Sequence, residues 1–221
     1  MDWQVLFEVF CFLNRRRIAD MNQAEFYARL ARHKIIASIK QPKSLERALE
    51  GPISAVVLSI GNLNTMKRYV DLFKSHQIPV FLHLERIGGI SYDREGMAYV
   101  GENVKPTGIV ATRNTLIKLA KKHGLLTIQR LFLVDSDSLK SGIQSIQETQ
   151  PDAVEIMPAL LPEYIIEYRN SLQQPIIAGG LIKRREQMVT ALSHGAIAVS
   201  VGKHQLWKEN MGNEHLQHSS I

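Results

Sequence analysis

Short β-rich runs alternate with amphipathic segments eight times from Ile35 onward, and small residues close the last two runs. In a chain of 221 residues with 45% apolar content, that alternation predicts an α/β fold, a TIM-like (β/α)8 barrel in a single domain. A doubly wound open sheet is the rival. No G-x-G-x-x-G follows the first run, which argues against its dinucleotide-binding version.

The strands are expected at residues 35–39, 55–60, 79–84, 108–112, 125–129, 153–157, 175–178 and 196–201. A helix opening after Met21 precedes them. Ser44 follows Pro42-Lys43 and is placed to cap a helix over 44–50 that carries Leu45, Ala48 and Leu49. Further helices are expected at 63–76, 92–103, 115–123, 137–148, 162–172 and 183–194, with a short one at 203–208. In the segment 183–194, Met188, Ala191 and Leu192 stand at helical spacing. Gly51-Pro52, Gly124 and Gly195 each end a helix just before a strand, and Pro106, Pro151 and Pro175 punctuate other helix-to-strand turns.

No linker or low-complexity tract divides the chain, so residues 21–210 are assigned to the barrel and 211–221 to a flexible tail. Residues 1–20 differ in character. An apolar run over 5–13, broken by Glu8, precedes Arg15-Arg16-Arg17. A secretory signal carries its positive charge before the apolar run, and this run is too short to span a bilayer. The segment is read as an extension outside the native fold, with a helix packed on the barrel as the alternative.

The lone cysteine, Cys11, excludes an internal disulfide framework and fits a reducing cytoplasm. The formal net charge of +6 permits a polyanionic partner such as RNA without requiring one.

Two strand ends point to an anion. Gly179-Gly180 closes the seventh run, and Ser200-Val201-Gly202 closes the eighth. Glycine lets backbone N–H groups approach a ligand, and the loops after barrel strands seven and eight are a frequent phosphate site. Plain turn chemistry is the competing reading for a single Gly-Gly pair. Polar residues collect near other strand ends: Lys40, His83 with Glu85, Thr112-Arg113, Gln129-Arg130 and, inside the sixth strand, Glu155. A carboxylate within an apolar strand needs a partner. Arg130 and Lys40 are its candidates, as a structural ion pair or as part of a polar site for a small hydroxylated anion. Asp135 and Asp137 lack a third ligand, so no metal site is expected. Basic residues after the two phosphate turns, Lys183, Arg184, Arg185, Lys203 and Lys208, are candidates for contact with RNA phosphates; a solvated helix start is the ordinary reading of such a cluster.

Several blocks carry a resemblance to a known family: H-L-E-R-I-G-G-I at 83–90, K-P-T-G-I-V-A-T-R at 105–113, I-Q-R-L-F-L-V-D-S at 128–136, P-D-A-V-E-I-M-P at 151–158, P-I-I-A-G-G-L-I at 175–182 and A-V-S at 198–200. Between Ile35 and Trp207 the chain resembles the glycerol-3-phosphate responsive antiterminators. The resemblance implies a cytoplasmic, non-enzymatic regulator that binds leader mRNA of glycerol-utilisation operons. Its effector would be glycerol 3-phosphate, with no other cofactor. The strand-end residues Lys40, His83, Glu85, Arg130, Glu155, Gly179, Gly180, Ser200 and Gly202 are the candidates for its site. The chain departs from the family pattern at Glu85, where aspartate is expected, at Ala159, where glycine is usual, and at Val201-Gly202-Lys203, where further hydroxyl residues are usual. A barrel enzyme of isomerase or aldolase type, using Lys40, His83 and Glu155 on a phosphorylated metabolite, is the alternative. No membrane partner is expected, and homo-oligomerisation stays open.

Overall fold

The computed structural model describes residues 21–212. Residues 1–20, with the extension and Cys11, and residues 213–221 lie outside the described residues.

Eight parallel strands close into a barrel in sequence order. They are β1 (Ile35–Ile39), β2 (Ala55–Leu58), β3 (Val80–His83), β4 (Gly108–Ala111), β5 (Leu126–Phe132), β6 (Ala153–Met157), β7 (Ile176–Gly179) and β8 (Ala198–Val201). Pairing of β1 with β8, Ile36 opposite Ser200, completes the ring. The helices are α1 (Gln23–His33), α2 (Met66–Ser75), α3 (Arg94–Tyr99), α4 (Asn114–Lys122), α5 (Ser136–Thr149), α6 (Pro162–Ser171) and α7 (Arg185–Ser193). Among the described residues no helix is long and apolar enough to cross a membrane.

Strand side chains alternate between two environments, as the pleat requires. Odd-numbered positions of β1, such as Ile35 and Ile39, join the outer core against the helices, where Met66, Phe73, Ile117 and Met188 fill the gap. The opposite set, Ile36, Val57, Phe81, Val110, Ile128, Ile177 and Ala198, fills the barrel interior. Phe26 and Leu30 of α1 belong to this inner cluster, and the Phe26 ring lies 4.9 Å from that of Phe81. α1 therefore plugs the amino end of the barrel. Asn22 and Glu25 form a capping box at its start, and Tyr27 donates to the Asp152 carbonyl at 2.6 Å, just ahead of β6. The interior at that end is thus sealed by apolar side chains.

Three expectations need correction. Residues 44–50 form no α-helix. Two 3-10 turns, Pro42–Ser44 and Glu46–Leu49, fill the first crossover, and Ser44 caps nothing. The space is taken from the other end of the chain. The 3-10 turn His204–Lys208 packs here, and the Trp207 carbonyl lies so close to Gly51 that a Cβ there would meet it at 2.4 Å. Trp207 is buried, and its indole N–H donates to the Val201 carbonyl at 2.7 Å. β5 also runs three residues beyond its expected end. The segment 92–103 is helical only in part as an α-helix; after Tyr99 it widens into a π-turn over Val100–Val104. Met211 is buried, so packing continues past residue 210.

Candidate functional site

The inward-facing parity that places apolar residues in the lower barrel places polar ones above them. Two residues past Phe81 comes His83, two past Ile128 comes Arg130, two past Ala153 comes Glu155, and two past Ala198 comes Ser200. All four are buried, Glu155 to 1% exposure and Arg130 to 6%. Arg130 and Glu155 face each other in the β5–β6 register. The guanidinium meets Glu155 Oε2 through Nε at 2.9 Å and Nη2 at 2.8 Å. Removed from water, this pair satisfies charge that neither partner could carry alone at that depth. Arg130, and not Lys40, is thus the partner of Glu155.

Arg130 extends the network to His83. Its Nη1 lies 3.0 Å from His83 Nδ1, and the Ser59 hydroxyl is 3.1 Å from the same nitrogen. A guanidinium only donates, so Nδ1 accepts and the imidazole proton sits on Nε2. Nε2 faces Glu85 Oε2 at 3.5 Å. Burial, and then the Arg130 charge, push the His83 pKa down to about 4, against a smaller upward pull from Glu85. The ring is neutral at pH 7. Glu85 itself lies in a 3-10 turn after β3, where its Oε1 accepts from the Thr112 N–H at 2.8 Å and the Thr112 hydroxyl at 2.9 Å. Ser59 and Thr112 are thus parts of the site. Ser59 follows Val57 by two residues, so strand parity could have found it.

Gly179 sits between Glu155 and Ser200. A Cβ on Gly179 would stand 2.6 Å from Glu155 Oε1 and 3.3 Å from Ser200 Cβ. The position therefore has space for hydrogen only. Among the described residues, neither Glu155 Oε1 nor the Ser200 hydroxyl has a hydrogen-bond partner. A buried unpaired polar group costs roughly 1–3 kcal/mol, more when charged; here a carboxylate oxygen, which can only accept, and a hydroxyl, which can donate or accept, flank one glycine. Gly180 serves a different end: at φ +78° it makes the turn out of β7.

The remaining sequence candidates lie around this centre. Lys40, just past β1, is exposed and turned toward a side cleft with Gly202, although its charge reaches His83. The Lys203 ammonium donates to the Lys183 carbonyl at 3.0 Å, tying the loop after β8 to the loop after β7. Gln187 Oε1 accepts from the backbone N–H groups of Lys183 and Arg184 at 2.7 and 3.0 Å. Arg185 pairs with Glu209 at 3.2 Å and Lys208 with Glu50 at 2.6 Å. Gln129 does not reach the mouth. It points outward, donating to Asn114 at 2.8 Å and Ser145 at 2.7 Å. Arg113 stacks over the Tyr92 ring at 5.1 Å.

The family described as Glycerol-3-phosphate responsive antiterminator matches residues 35–207. The chain is similar to the crystal structure of the glycerol uptake operon antiterminator regulatory protein from Listeria monocytogenes: 32% identity, 85% of this chain and 96% of that one, TM-score 0.73. It is also similar to a glycerol uptake operon antiterminator-related protein from Thermotoga maritima, at 25% identity over 79% of this chain and 98% of that one, TM-score 0.70. A curated relative, the uncharacterized protein YgcP of Escherichia coli, is 28% identical over 80% of this chain and 93% of its own length.

Proposed function

We propose that this chain, which belongs to the glycerol-3-phosphate responsive antiterminator family, takes glycerol 3-phosphate into the barrel mouth and in that state binds leader mRNA, preventing premature termination ahead of glycerol-utilisation genes. The cytoplasm, where transcripts are made, is the compartment this activity requires.

The observation that carries the ligand reading is the pair of unpartnered atoms, Glu155 Oε1 and Ser200 Oγ, on either side of Gly179. A carboxylate oxygen accepts from hydroxyl groups and repels a phosphate. The polyol end of the ligand therefore goes inward to Glu155. The phosphate goes outward, to backbone N–H groups at Gly180 and Gly202 at the ends of β7 and β8, where barrel phosphates commonly sit. The positive charges of Arg130 and Lys40 favour the anion's entry. His83 and Glu85 hold Arg130 and the neighbouring loop in position.

The same arrangement and the family membership support binding without turnover. Barrels of this type carry isomerase and aldolase chemistry elsewhere, so the alternative is real. A Schiff-base lysine would have to project beside Glu155. Lys40, the sequence candidate, is exposed and lines a side cleft instead. Calorimetry tests the reading: glycerol 3-phosphate binds, glycerol binds far more weakly, and both are recovered unchanged. Equal affinity for the two would sink the phosphate cradle. Product formation that disappears in Glu155→Gln would replace the regulator with an enzyme.

A further inference from the structure

Beside the mouth, between the ends of β1 and β8, lies a cleft of about 310 Å³. Its walls carry Lys40, Lys43, Arg47 and His204, with Ser44 and Gln41 as neutral donors, and no carboxylate lines it. Lys40, Lys43 and Arg47 are exposed. Among the described residues none of the three forms an ion pair, whereas Lys208 and Arg185 nearby are held by Glu50 and Glu209. The cleft thus concentrates positive charge, and the nearest answer to it is Glu50, which feels Arg47 but is itself held by Lys208. Arg47 Nη1 lies 3.0 Å from His204 Nε2, so a permanent cation and an imidazole are held together on one wall. Like charges gathered at the rim of an open cleft cost energy unless an anion answers them.

We infer that this cleft carries the phosphodiester backbone of the bound RNA strand. The inference rests on the RNA-binding reading above and moves the centre of that contact from the start of α7 to the first crossover. The cations are exposed and follow one another along the segment after β1, with His204 and Gly202 facing them from the loop after β8, which suits a polyanion lying across the surface; a small enclosed anion would call for buried ligands. Lysine and arginine heads supply the sequence-independent part of single-strand binding. The local fold makes the surface possible: two short 3-10 turns over Pro42–Ser44 and Glu46–Leu49 leave Lys43 and Arg47 at the cleft. The site is also coupled to the mouth. Gly202 lines the cleft and stands in the proposed phosphate cradle, and Lys203 ties the same loop to the Lys183 carbonyl. A ligand that orders this loop sets one wall of the RNA site.

The test uses the full chain and the transcribed leader of a glycerol-utilisation operon from the same genome. Affinity is measured against salt, with saturating glycerol 3-phosphate, for wild type, Lys43→Ala/Arg47→Ala and Lys183→Ala/Arg184→Ala. Circular dichroism and thermal melting check each variant's fold, and calorimetry reads its glycerol 3-phosphate binding. Two lost contacts on a single strand lower the salt slope by about 1.4, at about 0.7 each. Lys43→Ala/Arg47→Ala should show that change, with RNA affinity down about tenfold or more at low salt and ligand binding intact. Wild-type affinity and slope in that variant, with the loss appearing in Lys183→Ala/Arg184→Ala, would overturn the cleft and leave the function standing. Loss of glycerol 3-phosphate binding in Lys43→Ala/Arg47→Ala would put the ligand's own phosphate in the cleft and also overturn it. A wild type that binds no leader RNA would bring down the proposed function and the cleft with it.

Discussion

Replacing Arg130 by Met removes the cation that, among the described residues, pairs with Glu155, a carboxylate buried to 1% exposure. Met matches much of the guanidinium stem, so the change is mainly electrostatic. It strips two contacts from Glu155 Oε2, at 2.9 and 2.8 Å, and a third from His83 Nδ1 at 3.0 Å. Breaking one side of a buried ion pair costs about 3–5 kcal/mol, because the remaining charge stays buried without compensation. Removing both charges in Arg130→Met/Glu155→Leu should recover most of that loss, since a well-packed apolar pair is often as stable as the ion pair it replaces. Urea unfolding reads the difference. With a slope of about 1–3 kcal/mol per molar, the single variant's midpoint falls by more than about 1 M, or the variant fails to fold, while the double variant returns toward wild type. Neither binds glycerol 3-phosphate, because the polyol acceptor or its orientation is gone. A loss below about 1 kcal/mol in Arg130→Met, or a double variant no better than the single, would refute this account of the mouth.

Gly179→Ala puts a methyl 2.6 Å from Glu155 Oε1. It should cost about 1–3 kcal/mol of stability as an overpacked site and abolish ligand binding in calorimetry; retained affinity would show that the ligand does not use this position. His83 should titrate near 4 by NMR, with the Nε2–H tautomer at neutral pH. Because its folded pKa lies below the unfolded value near 6.5, the unfolded chain takes up the proton first. The stability this ring contributes is full above about 6.5 and is lost as pH falls toward about 4. Titration near 6.5 would mean that Arg130 and burial do not govern the ring.

Much of the mouth was legible because a buried strand tolerates a charge only for a reason. Glu155 inside an apolar run announced a partner, with Arg130 and Lys40 as its candidates. Gly179 was legible as a small residue, but its cause, the approach of Glu155, exists only once β6 and β7 are paired. Gln129 looked equivalent to Arg130 in sequence. Its neighbour relation is one of parity, and that sends it outward to Asn114 and Ser145. The first crossover was misread because Leu45, Ala48 and Leu49 carry a helical spacing, while the competing element, Trp207, comes from the far end of the chain. Local pattern cannot register a contact of that separation. The same limit hid the cleft, whose walls come from residues after β1 and after β8.

The central claim is that the ligand in the mouth controls the RNA. Its most direct measurement is leader RNA affinity with and without saturating glycerol 3-phosphate, paired with glycerol 3-phosphate affinity with and without RNA. The account predicts that the ligand tightens RNA binding and that RNA tightens ligand binding by the same factor, since coupling between two binding sites is reciprocal. RNA binding of equal strength in the presence and absence of glycerol 3-phosphate would contradict it.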